Sequence, residues 1–384
     1  LLKTRAIPLA KVSFERQWVV ATSRLLSHKR RWYRANAPFS RNALGRVFSH
    51  HFPRQSSNRR EVHIMTKYTV IGAGAMGLRY GVLIQERTGN QVDFIDTWEP
   101  SVNTIKEQKG TWVSRDHKDK HMVPINISFP EDYTGDPDVW IIFVKQMQLA
   151  AVLKRCAPLF KDHQYAFSAM NGMGHIDKIS EYFPDDHIVG GTAMIATVLN
   201  GPGDVDFMGA PRTGVMHLCN KTEKTDAMTQ QMFDDFKEAG LGPILTENFM
   251  GTLMSKVVFN AVVNTLCTMF EITMGQFIEY PGAKDMAEQL MNESFDACER
   301  AGIHLVETRQ EEVESVDYVS RVANPYHYPS MYQDFSKGRN TEVDYINGYI
   351  AKIGREHDYI CRTHEFLVHE VHMAEMMRKY KQAK

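Results

Sequence analysis

A glycine-rich turn between an apolar run and a helical segment constrains the fold of this chain more than any other feature. Residues 70–77 are VIGAGAMG, with glycines at 72, 74 and 77. In a strand–turn–helix unit the first glycine permits the tight turn, the second lets the backbone approach a pyrophosphate, and the third lets helix and strand pack closely. A helix start that merely needs small residues is the alternative, but the context favours a dinucleotide site with the phosphates at the helix N-terminus. Its predicted contacts are Gly72, Gly74, Ala75, Met76 and Gly77.

The acidic residue Asp96 ends the second strand-like run, 24 positions after Gly72. A carboxylate at this point can accept hydrogen bonds from both hydroxyls of an adenosine ribose, and its charge repels a 2′-phosphate. A helix N-cap or a turn residue is the alternative interpretation. If Asp96 binds the ribose, the preferred cofactor is NAD(H) rather than its phosphorylated form.

Strand-like and helical segments alternate along residues 68–170. The strand-like runs lie at 68–71, 92–95, 140–144 and 166–170, and the helical patterns between them lie at 75–86, 100–108 and 147–156. Such alternation is typical of βαβ units and a mainly parallel sheet. Shorter runs at 188–218, interrupted by glycine and proline, predict antiparallel strands at the edge of this sheet.

Helical periodicity replaces the strand signals after residue 247. The patterns lie at 249–270, 283–301 and 341–356, and a last one ends near residue 379. We therefore predict an α/β fold, with a Rossmann-type N-terminal domain over residues 65–246 followed by an all-helical C-terminal domain over residues 247–384.

The first 64 residues form a basic extension that we leave outside the predicted fold. They hold 14 Lys and Arg against two acidic residues, a net charge of about +12, whereas residues 65–384 carry about −13. This composition is compatible with a transit peptide or with a basic arm for nucleic acid. Because Met65 directly precedes the first strand-like run, we favour a third interpretation, in which residues 1–64 are upstream sequence read in frame.

A stripe of polar residues runs along the apolar helical pattern at 249–270. Lys256, Asn260 and Asn264 are spaced four apart, which places them on one face of a helix, and the residues between them are Val, Phe and Ala. A helix this apolar should be buried, and buried polar groups need partners. A solvated stripe is the alternative, but a polar cleft shared with a ligand fits better. Burial would also lower the pKa of the lysine, which suits an acid that works near neutral pH.

Several other classes of function are disfavoured by the sequence. No uninterrupted apolar run approaches the roughly 18 residues of a membrane span. The five cysteines are scattered and form no C-x-x-C pair, which favours free thiols in a reducing compartment such as the cytoplasm. His364 and His369 do not have the H-E-x-x-H spacing of zinc helices. We therefore expect no metal site, and no nucleic-acid or membrane partner.

Taken together, several stretches of this sequence resemble the ketopantoate reductase family, also called 2-dehydropantoate 2-reductases. They are 72–77 (GAGAMG), 144–145 (VK), 171–174 (NGMG), 256–264 (KVVFNAVVN), 330–334 (SMYQD) and 341–348 (TEVDYING). The resemblance covers essentially all of residues 66–384. It implies a Rossmann-type first domain, an all-helical second domain and a substrate cleft between them.

The resemblance also implies roles for the matching positions. Lys256 would be the general acid that protonates the substrate carbonyl oxygen, Glu342 would orient Lys256 or relay its proton, and Lys145 would lie near the cofactor. The residues implied to hold the substrate carboxylate and hydroxyl are Asn171, Asn260, Asn264 and Ser330, and Asn171 would also contact the cofactor. The implied reaction is the NAD(P)H-dependent reduction of 2-dehydropantoate to (R)-pantoate, a step of pantothenate biosynthesis.

Two features depart from the family pattern. Thr97 stands where members that use NADPH typically carry an arginine for the 2′-phosphate, and with Asp96 before it this favours NADH. The run 94–98 (FIDTW) is similar to that of the NADH-dependent D-2-hydroxyacid dehydrogenases of the D-mandelate type. In addition, Arg79 in the helix after the glycine turn adds a charge of unassigned purpose.

Three hypotheses remain open at the level of sequence. The first is reduction of 2-dehydropantoate, and the second is an NADH-dependent D-2-hydroxyacid dehydrogenase for branched or aromatic 2-oxo acids. The third is a sensor or scaffold that binds NAD(P) without turnover, against which the set of Lys256, Asn260, Asn264 and Glu342 argues. A homodimer through the helical domain is compatible with the sequence.

Overall fold

A computed structural model describes residues 65–209, 211–212 and 215–382 of the chain. The interpretations of residues 1–64 therefore lie outside the described residues. Within the described residues the predicted α/β class is confirmed, because a mainly parallel sheet occupies the first half of the fold and helices occupy the rest.

The strands are short and rich in β-branched and aromatic residues, as buried strands usually are. The described strands are β1 (Lys67–Ile71), β2 (Gln91–Ile95), β3 (Thr111–Arg115), β4 (Lys118–Val123), β5 (Asn126–Ser128), β6 (Val139–Ile142), β7 (Tyr165–Ser168), β8 (Ile188–Met194), β9 (Thr197–Gly201), β10 (Asp204–Phe207), β11 (Val215–Asn220) and β12 (Pro243–Leu245). The main sheet has the order β12-β11-β8-β7-β6-β1-β2-β5, and a second sheet has the order β4-β3-β10-β9.

Helices cover the main sheet and form the second half of the fold. The described α-helices are α1 (Ala75–Thr88), α2 (Glu99–Gln108), α3 (Gln146–Cys156), α4 (His175–Ile179), α5 (Ala227–Glu238), α6 (Phe249–Phe270), α7 (Met274–Glu279), α8 (Ala283–Arg300), α9 (Arg309–Tyr318), α10 (Ser330–Ser336), α11 (Asn347–Glu356) and α12 (Arg362–Gln382). The prediction for 249–270 is confirmed with the same bounds.

Parallel pairing brings the carboxyl ends of four strands to one edge of the main sheet. β1 lies between β2 and β6, and β6 pairs with β7, all in parallel register. The glycine turn, Asp96, Lys145 and Asn171 follow these strands and therefore meet at this edge. The strand order also reverses at β1, which is the point where doubly wound sheets bind their ligands.

The prediction for residues 188–218 needs correction. β11 is antiparallel to β8 as expected, but β8 itself is parallel to β7 and β12 lies outside β11. β9 and β10 do not join the main sheet at all. The Gly201-Pro202-Gly203 turn folds β9 back onto β10, and β10 pairs in parallel with β3, whose segment was not predicted as a strand.

Helix α6 is the central helix of the second half. It is long and apolar enough to cross a membrane by length and composition, but most of its residues are buried inside the fold. A helix that is apolar on nearly all sides is expected at the core of a larger domain. Within the described residues, α6 is therefore accounted for as a core helix.

The segment 341–356, predicted as one helix, is interrupted. A 3-10 turn over Val343–Tyr345 is followed by Ile346, with φ −114° and ψ −89°, and α11 begins only at Asn347. The carbonyl oxygen of Tyr345 accepts a hydrogen bond of 2.8 Å from the N–H of Met173. This long-range contact replaces the helical hydrogen bond that a continuous helix would have formed there. The described residues form one compact unit, so the domain boundary at 246/247 stays a prediction.

Candidate active site

The glycine-rich turn has the shape that dinucleotide binding requires. A Cβ atom on Gly72, whose φ is +104°, would collide with the carbonyl group of Phe143, and a Cβ atom on Gly77 would collide with the carbonyl oxygen of Gly72. By contrast, a Cβ atom on Gly74 would meet nothing within 4 Å. Gly74 is the N-cap of α1 and offers no side-chain cap, so the first amides of the helix are available to phosphate oxygens. The turn therefore fits a pyrophosphate, and its individual contacts stay predictions.

Asp96 connects the glycine turn to the start of α2. Its Oδ2 accepts a hydrogen bond of 2.7 Å from the N–H of Ala73, and its Oδ1 accepts one of 2.8 Å from the N–H of Trp98. The carboxylate therefore stabilises the backbone of this turn, as the alternative interpretation of Asp96 as a turn residue predicts. Each carboxylate oxygen can accept a further hydrogen bond, so the ribose contact remains compatible with this geometry and stays a prediction.

The loop after β7 brings Asn171 to the helical half of the fold. Its side-chain Nδ2 lies 3.5 Å from the hydroxyl of Ser330, the first residue of α10. Gly172, at φ +77°, lies so close to Tyr345 that a Cβ atom would be 2.7 Å from the Tyr345 carbonyl oxygen. Because the loop is held against Tyr345, two of the predicted substrate residues come together across the two halves of the chain.

Lys145 lies between β6 and α3 and binds carboxylates from the helical half. Its Nζ is 2.6 Å from Asp334 and 3.7 Å from Glu342, and Asp334 also pairs with Arg339 at 2.6 Å. Burial tends to lower the pKa of Lys145, but the negative charges of Glu342 and Asp334 outweigh it, so that the pKa is raised. Lys145 is thus a cation at the cofactor edge of the sheet. A contact between Lys145 and the cofactor stays a prediction.

Glu342 is 6% exposed and lies just before the 3-10 turn. Its Oε1 accepts a hydrogen bond of 3.3 Å from the N–H of Gln146, while Oε2 faces Lys145. Burial raises the pKa of Glu342, and the charge of Lys145 offsets part of this rise. Glu342 acts on Lys256 through space, since its charge raises the pKa of that amine. The predicted orienting or relay role of Glu342 stays a prediction.

Lys256 lies in the first half of α6 with its side chain half-buried. Its Nζ donates a hydrogen bond of 2.5 Å to the carbonyl oxygen of Ala193, near the end of β8. Burial lowers the pKa of Lys256 to about 8, and the charge of Glu342 opposes this shift. Such an amine is mostly protonated at neutral pH and still gives up its proton readily, which is what a general acid requires.

Asn260 and Asn264 follow Lys256 at one-turn intervals along α6. Each is 7% exposed. Neither side-chain amide has a hydrogen-bond partner among the described residues, and neither is fully enclosed. Buried amides normally have partners. The two amides can therefore receive the polar groups of a ligand.

Two family models match this chain in succession. The model described as "Ketopantoate reductase PanE/ApbA" matches residues 68–218, and the model of the C-terminal part of the same family matches residues 248–375. The chain belongs to the ketopantoate reductase family.

Relatives align with this ketopantoate reductase family member over nearly their whole length. The 2-dehydropantoate 2-reductase of Lactococcus lactis subsp. lactis (strain IL1403) is 30% identical over 320 residues, which are 82% of this chain and 100% of the relative. That of Aquifex aeolicus (strain VF5) is 24% identical over 315 residues, 82% of this chain and 98% of the relative. A structure of D-mandelate dehydrogenase with NADH and anilino(oxo)acetate is 30% identical and has a TM-score of 0.76, covering 81% of this chain and 99% of that one.

Three residues of this ketopantoate reductase site were not predicted from the sequence. Asp334 had a visible signal, since it lies in the SMYQD stretch, but its pairing with Lys145 spans 189 positions. Gln146 is fully buried, and its Nε2 lies 2.8 Å from the Asn171 carbonyl oxygen and 3.2 Å from Nδ1 of His175. Burial lowers the pKa of His175 to about 4, so this histidine is neutral. Nothing in the local sequence marks Gln146 or His175.

His364, His372 and the cysteines have surroundings that account for them structurally. His364 lies in the core within hydrogen-bond distance of Ser294 and Asn347, and His372 pairs with Asp344. No group of three or more His, Cys, Asp or Glu that could hold a metal ion is found in the part of the chain that the structure describes. All five cysteines are buried as free thiols.

Proposed function

We propose that this protein reduces a 2-oxo acid to the 2-hydroxy acid with NAD(P)H, and that the substrate is 2-dehydropantoate, which becomes (R)-pantoate. The observation that carries the proposal is the face of α6, where Lys256 has a pKa of about 8 and two amides without partners follow it. The substrate is supported by the relatives, which are named as 2-dehydropantoate 2-reductases.

The proton that the reaction consumes comes from Lys256. The glycine turn would hold NAD(P)H, which would supply a hydride to the carbonyl carbon of the 2-oxo acid, and negative charge would then develop on the carbonyl oxygen. Protonated Lys256 stabilises that charge and donates its proton to the oxygen. Glu342 has a raised pKa and its charge acts on Lys256, so it can take part in returning a proton to the amine.

The orientation of the substrate depends on the neutral polar side chains. Asn260 and Asn264 offer free amides on the same helix face as Lys256. Asn171 and Ser330 meet at 3.5 Å and come from opposite halves of the chain. Amide and hydroxyl groups of this kind can hold the carboxylate and hydroxyl of the substrate so that one face of the carbonyl is presented for reduction.

NADH is the proposed cofactor. Asp96 already binds the amide of Ala73 in the glycine turn, so its charge is fixed beside the place where the adenosine ribose would lie. A 2′-phosphate would meet this carboxylate without the arginine that usually compensates it, since Thr97 is uncharged.

An NADH-dependent D-2-hydroxyacid dehydrogenase is the second candidate. Two observations favour it: the Asp96 geometry, and the similarity to D-mandelate dehydrogenase at 30% identity and a TM-score of 0.76. In this case the same Lys256 would serve branched or aromatic 2-oxo acids. The chemistry of the amine is unchanged, and only the shape of the substrate pocket differs.

Steady-state rates separate the two candidates. The full chain is assayed with 2-dehydropantoate, a branched 2-oxo acid and phenylglyoxylate, each with NADH and with NADPH. The highest kcat/KM for 2-dehydropantoate supports the first candidate, and turnover of only the bulkier acids with NADH supports the second. Binding of NAD(P)H without turnover of any 2-oxo acid would contradict both and favour a sensor.

A homodimer through the helical half and a cytoplasmic location stay predictions. Light scattering of the purified chain after gel filtration tests the first, and fractionation of the source cells tests the second. Neither outcome changes the chemistry proposed for Lys256.

A further inference from the structure

The side chain of Arg79 is buried although it takes no part in the site described above. It lies in the second turn of α1, five residues after Gly74, and is 5% exposed. Burial, with repulsion from Arg115, lowers its pKa to about 10, so Arg79 remains charged at neutral pH. All three of its hydrogen bonds go to neutral oxygen atoms. Burying a cation costs free energy unless it is paired and hydrogen-bonded, and Arg79 has hydrogen bonds but no carboxylate partner among the described residues. Its contacts therefore need an explanation.

The contacts of Arg79 converge on the crossing from the main sheet to the second sheet. Its Nη1 donates to the carbonyl oxygen of Ala196 at 2.6 Å, to that of Met208 at 3.2 Å, and to the hydroxyl of Thr197 at 3.3 Å. The guanidinium carbon also lies 5.2 Å from the ring centroid of Phe207. β8 ends at Met194, two residues before Ala196, and β9 begins at Thr197. Arg79 therefore fixes the short connection between the two sheets to helix α1.

The end of β8, directly before this connection, binds the amine of Lys256. Ala193, three residues before Ala196, accepts the hydrogen bond of 2.5 Å from Lys256 Nζ. Residues 193–197 are thus bound by Arg79 at one end and bind the amine at the other. Because α1 also begins at the glycine turn, one helix lies between the predicted phosphate site and the acceptor of the proposed acid.

We propose that Arg79 is a positioning residue for Lys256. By binding Ala196 and Thr197 it holds the Ala193 carbonyl oxygen where the amine can reach it, and it thereby sets the place of the proton donor relative to the cofactor turn. The inference rests on the proposed function, because it requires Lys256 to be the general acid.

Arg115 provides a matched control for a merely structural role. Its guanidinium carbon lies 5.7 Å from the same Phe207 ring, and its Nη1 donates to the carbonyl oxygen of Gly209 at 2.8 Å. It is thus a second arginine beside the same ring, half-buried and with one side-chain hydrogen bond to a backbone carbonyl. Its hydrogen bond, however, is to Gly209 and not to residues 193–197.

The test compares three variants of the full chain, Arg79→Met, Arg79→Lys and Arg115→Met. For each variant we measure kcat, KM, the pH profile of kcat and Tm, and we measure the affinity for NADH by fluorescence. We expect Arg79→Met to lower kcat about tenfold to hundredfold, as a displacement on the order of 1 Å can do. We also expect the basic limb of its profile to move to lower pH, because Lys256 loses a hydrogen bond that favours its charged form, while Glu342 is unchanged. Arg79→Lys should recover part of kcat, and NADH affinity should change little.

The control separates positioning from packing. Arg115→Met should retain the kcat and pH profile of the wild type even if its Tm falls as far as that of Arg79→Met. The inference is overturned if Arg79→Met keeps the wild-type kcat and basic limb, or if Arg115→Met changes both to the same extent. If Arg79→Met does not fold, a folded Arg79→Lys with an unchanged kcat and limb overturns it. Lys256→Met is assayed in parallel. If that variant keeps wild-type turnover, Lys256 is not the proton donor, whereas the proposed function fails if the wild type itself reduces no 2-oxo acid.

Discussion

The carboxylate of Glu342 lies 3.7 Å from the amine of Lys145, so that a side chain of the helical half pairs with one of the Rossmann-type half. Lys145 also binds Asp334 at 2.6 Å, and the Gln146 N–H donates to Glu342. These contacts hold Glu342 in place while its charge acts on Lys256 through space and raises the pKa of the amine. The acidity of the proposed proton donor therefore depends on contacts made across both halves of the chain.

The pH dependence of the reaction should follow Lys256. Reduction requires the protonated amine, and its pKa in the folded protein is about 8, so the reduction rate should be high below about pH 8 and fall as the pH rises through it. Oxidation of the 2-hydroxy acid requires the neutral amine and should rise over the same interval. Profiles of kcat/KM in both directions test this, and parallel profiles in the two directions would contradict it.

Replacing Glu342 by Gln should move this basic limb to lower pH. The substitution removes the negative charge that raises the pKa of Lys256 and leaves a side chain of nearly the same size. A control is Glu356→Gln, since Glu356 is exposed and pairs with Lys352 on α11. An unchanged limb in Glu342→Gln, with kcat also unchanged, would show that Glu342 does not act on the proton donor.

Changes at the end of β2 should alter the choice of cofactor. Asp96→Ala with Thr97→Arg removes a negative charge and adds a positive one beside the ribose, so the ratio of kcat/KM for NADH to that for NADPH should fall by about tenfold or more. Loss of the bonds to Ala73 and Trp98 should also lower Tm. Thr97→Ala alone is the control and should leave the preference near that of the wild type. If the ratio stays constant in the double variant, Asp96 does not determine the preference for NADH over NADPH.

Asn347 should be important for stability rather than for chemistry. Its side chain accepts a hydrogen bond of 2.5 Å from Thr265, donates one to the Ala261 carbonyl oxygen and lies 3.2 Å from His364 Nδ1, all in the core. Asn347→Ala leaves several buried groups unpaired, so the free energy of unfolding should fall by about 2–4 kcal/mol.

Urea unfolding measures this loss, with Asn103→Ala as a control. Asn103 is exposed on α2, and its substitution should change the free energy of unfolding by less than about 0.5 kcal/mol. Equal losses in the two variants would show that the network around Asn347 contributes little.

The features of this structure that the sequence predicts are those that depend on residues close together along the chain. The bounds of α6 followed from a continuous helical pattern, and the positions of the glycine turn and Asp96 followed from where apolar strands end, whereas the position of Lys145 was implied by the family resemblance. The alignment of Lys256, Asn260 and Asn264 needed only helical geometry. In each case the information lay within about twenty neighbouring residues.

The parts that sequence did not predict depend on partners far along the chain. β10 pairs with β3 across about 90 positions, and the polar hairpin of β3 and β4 has no apolar pattern of its own. The pairing of Lys145 with Asp334 spans 189 positions. The break in the helix at Ile346 depends on Met173, whose N–H donates a hydrogen bond to the carbonyl oxygen of Tyr345. Side-chain pairing and carbonyl partners of this kind leave no local signal.

The central claim is that Lys256 donates the proton, and the most direct test is the turnover of Lys256→Met with 2-dehydropantoate and NADH. The variant should bind NADH as the wild type does, while kcat falls about 10²- to 10⁴-fold, the usual contribution of a general acid. Lys352→Met, at an exposed position of α11, should retain wild-type kcat. A Lys256→Met enzyme that binds NADH and keeps wild-type kcat for every 2-oxo acid would contradict the account.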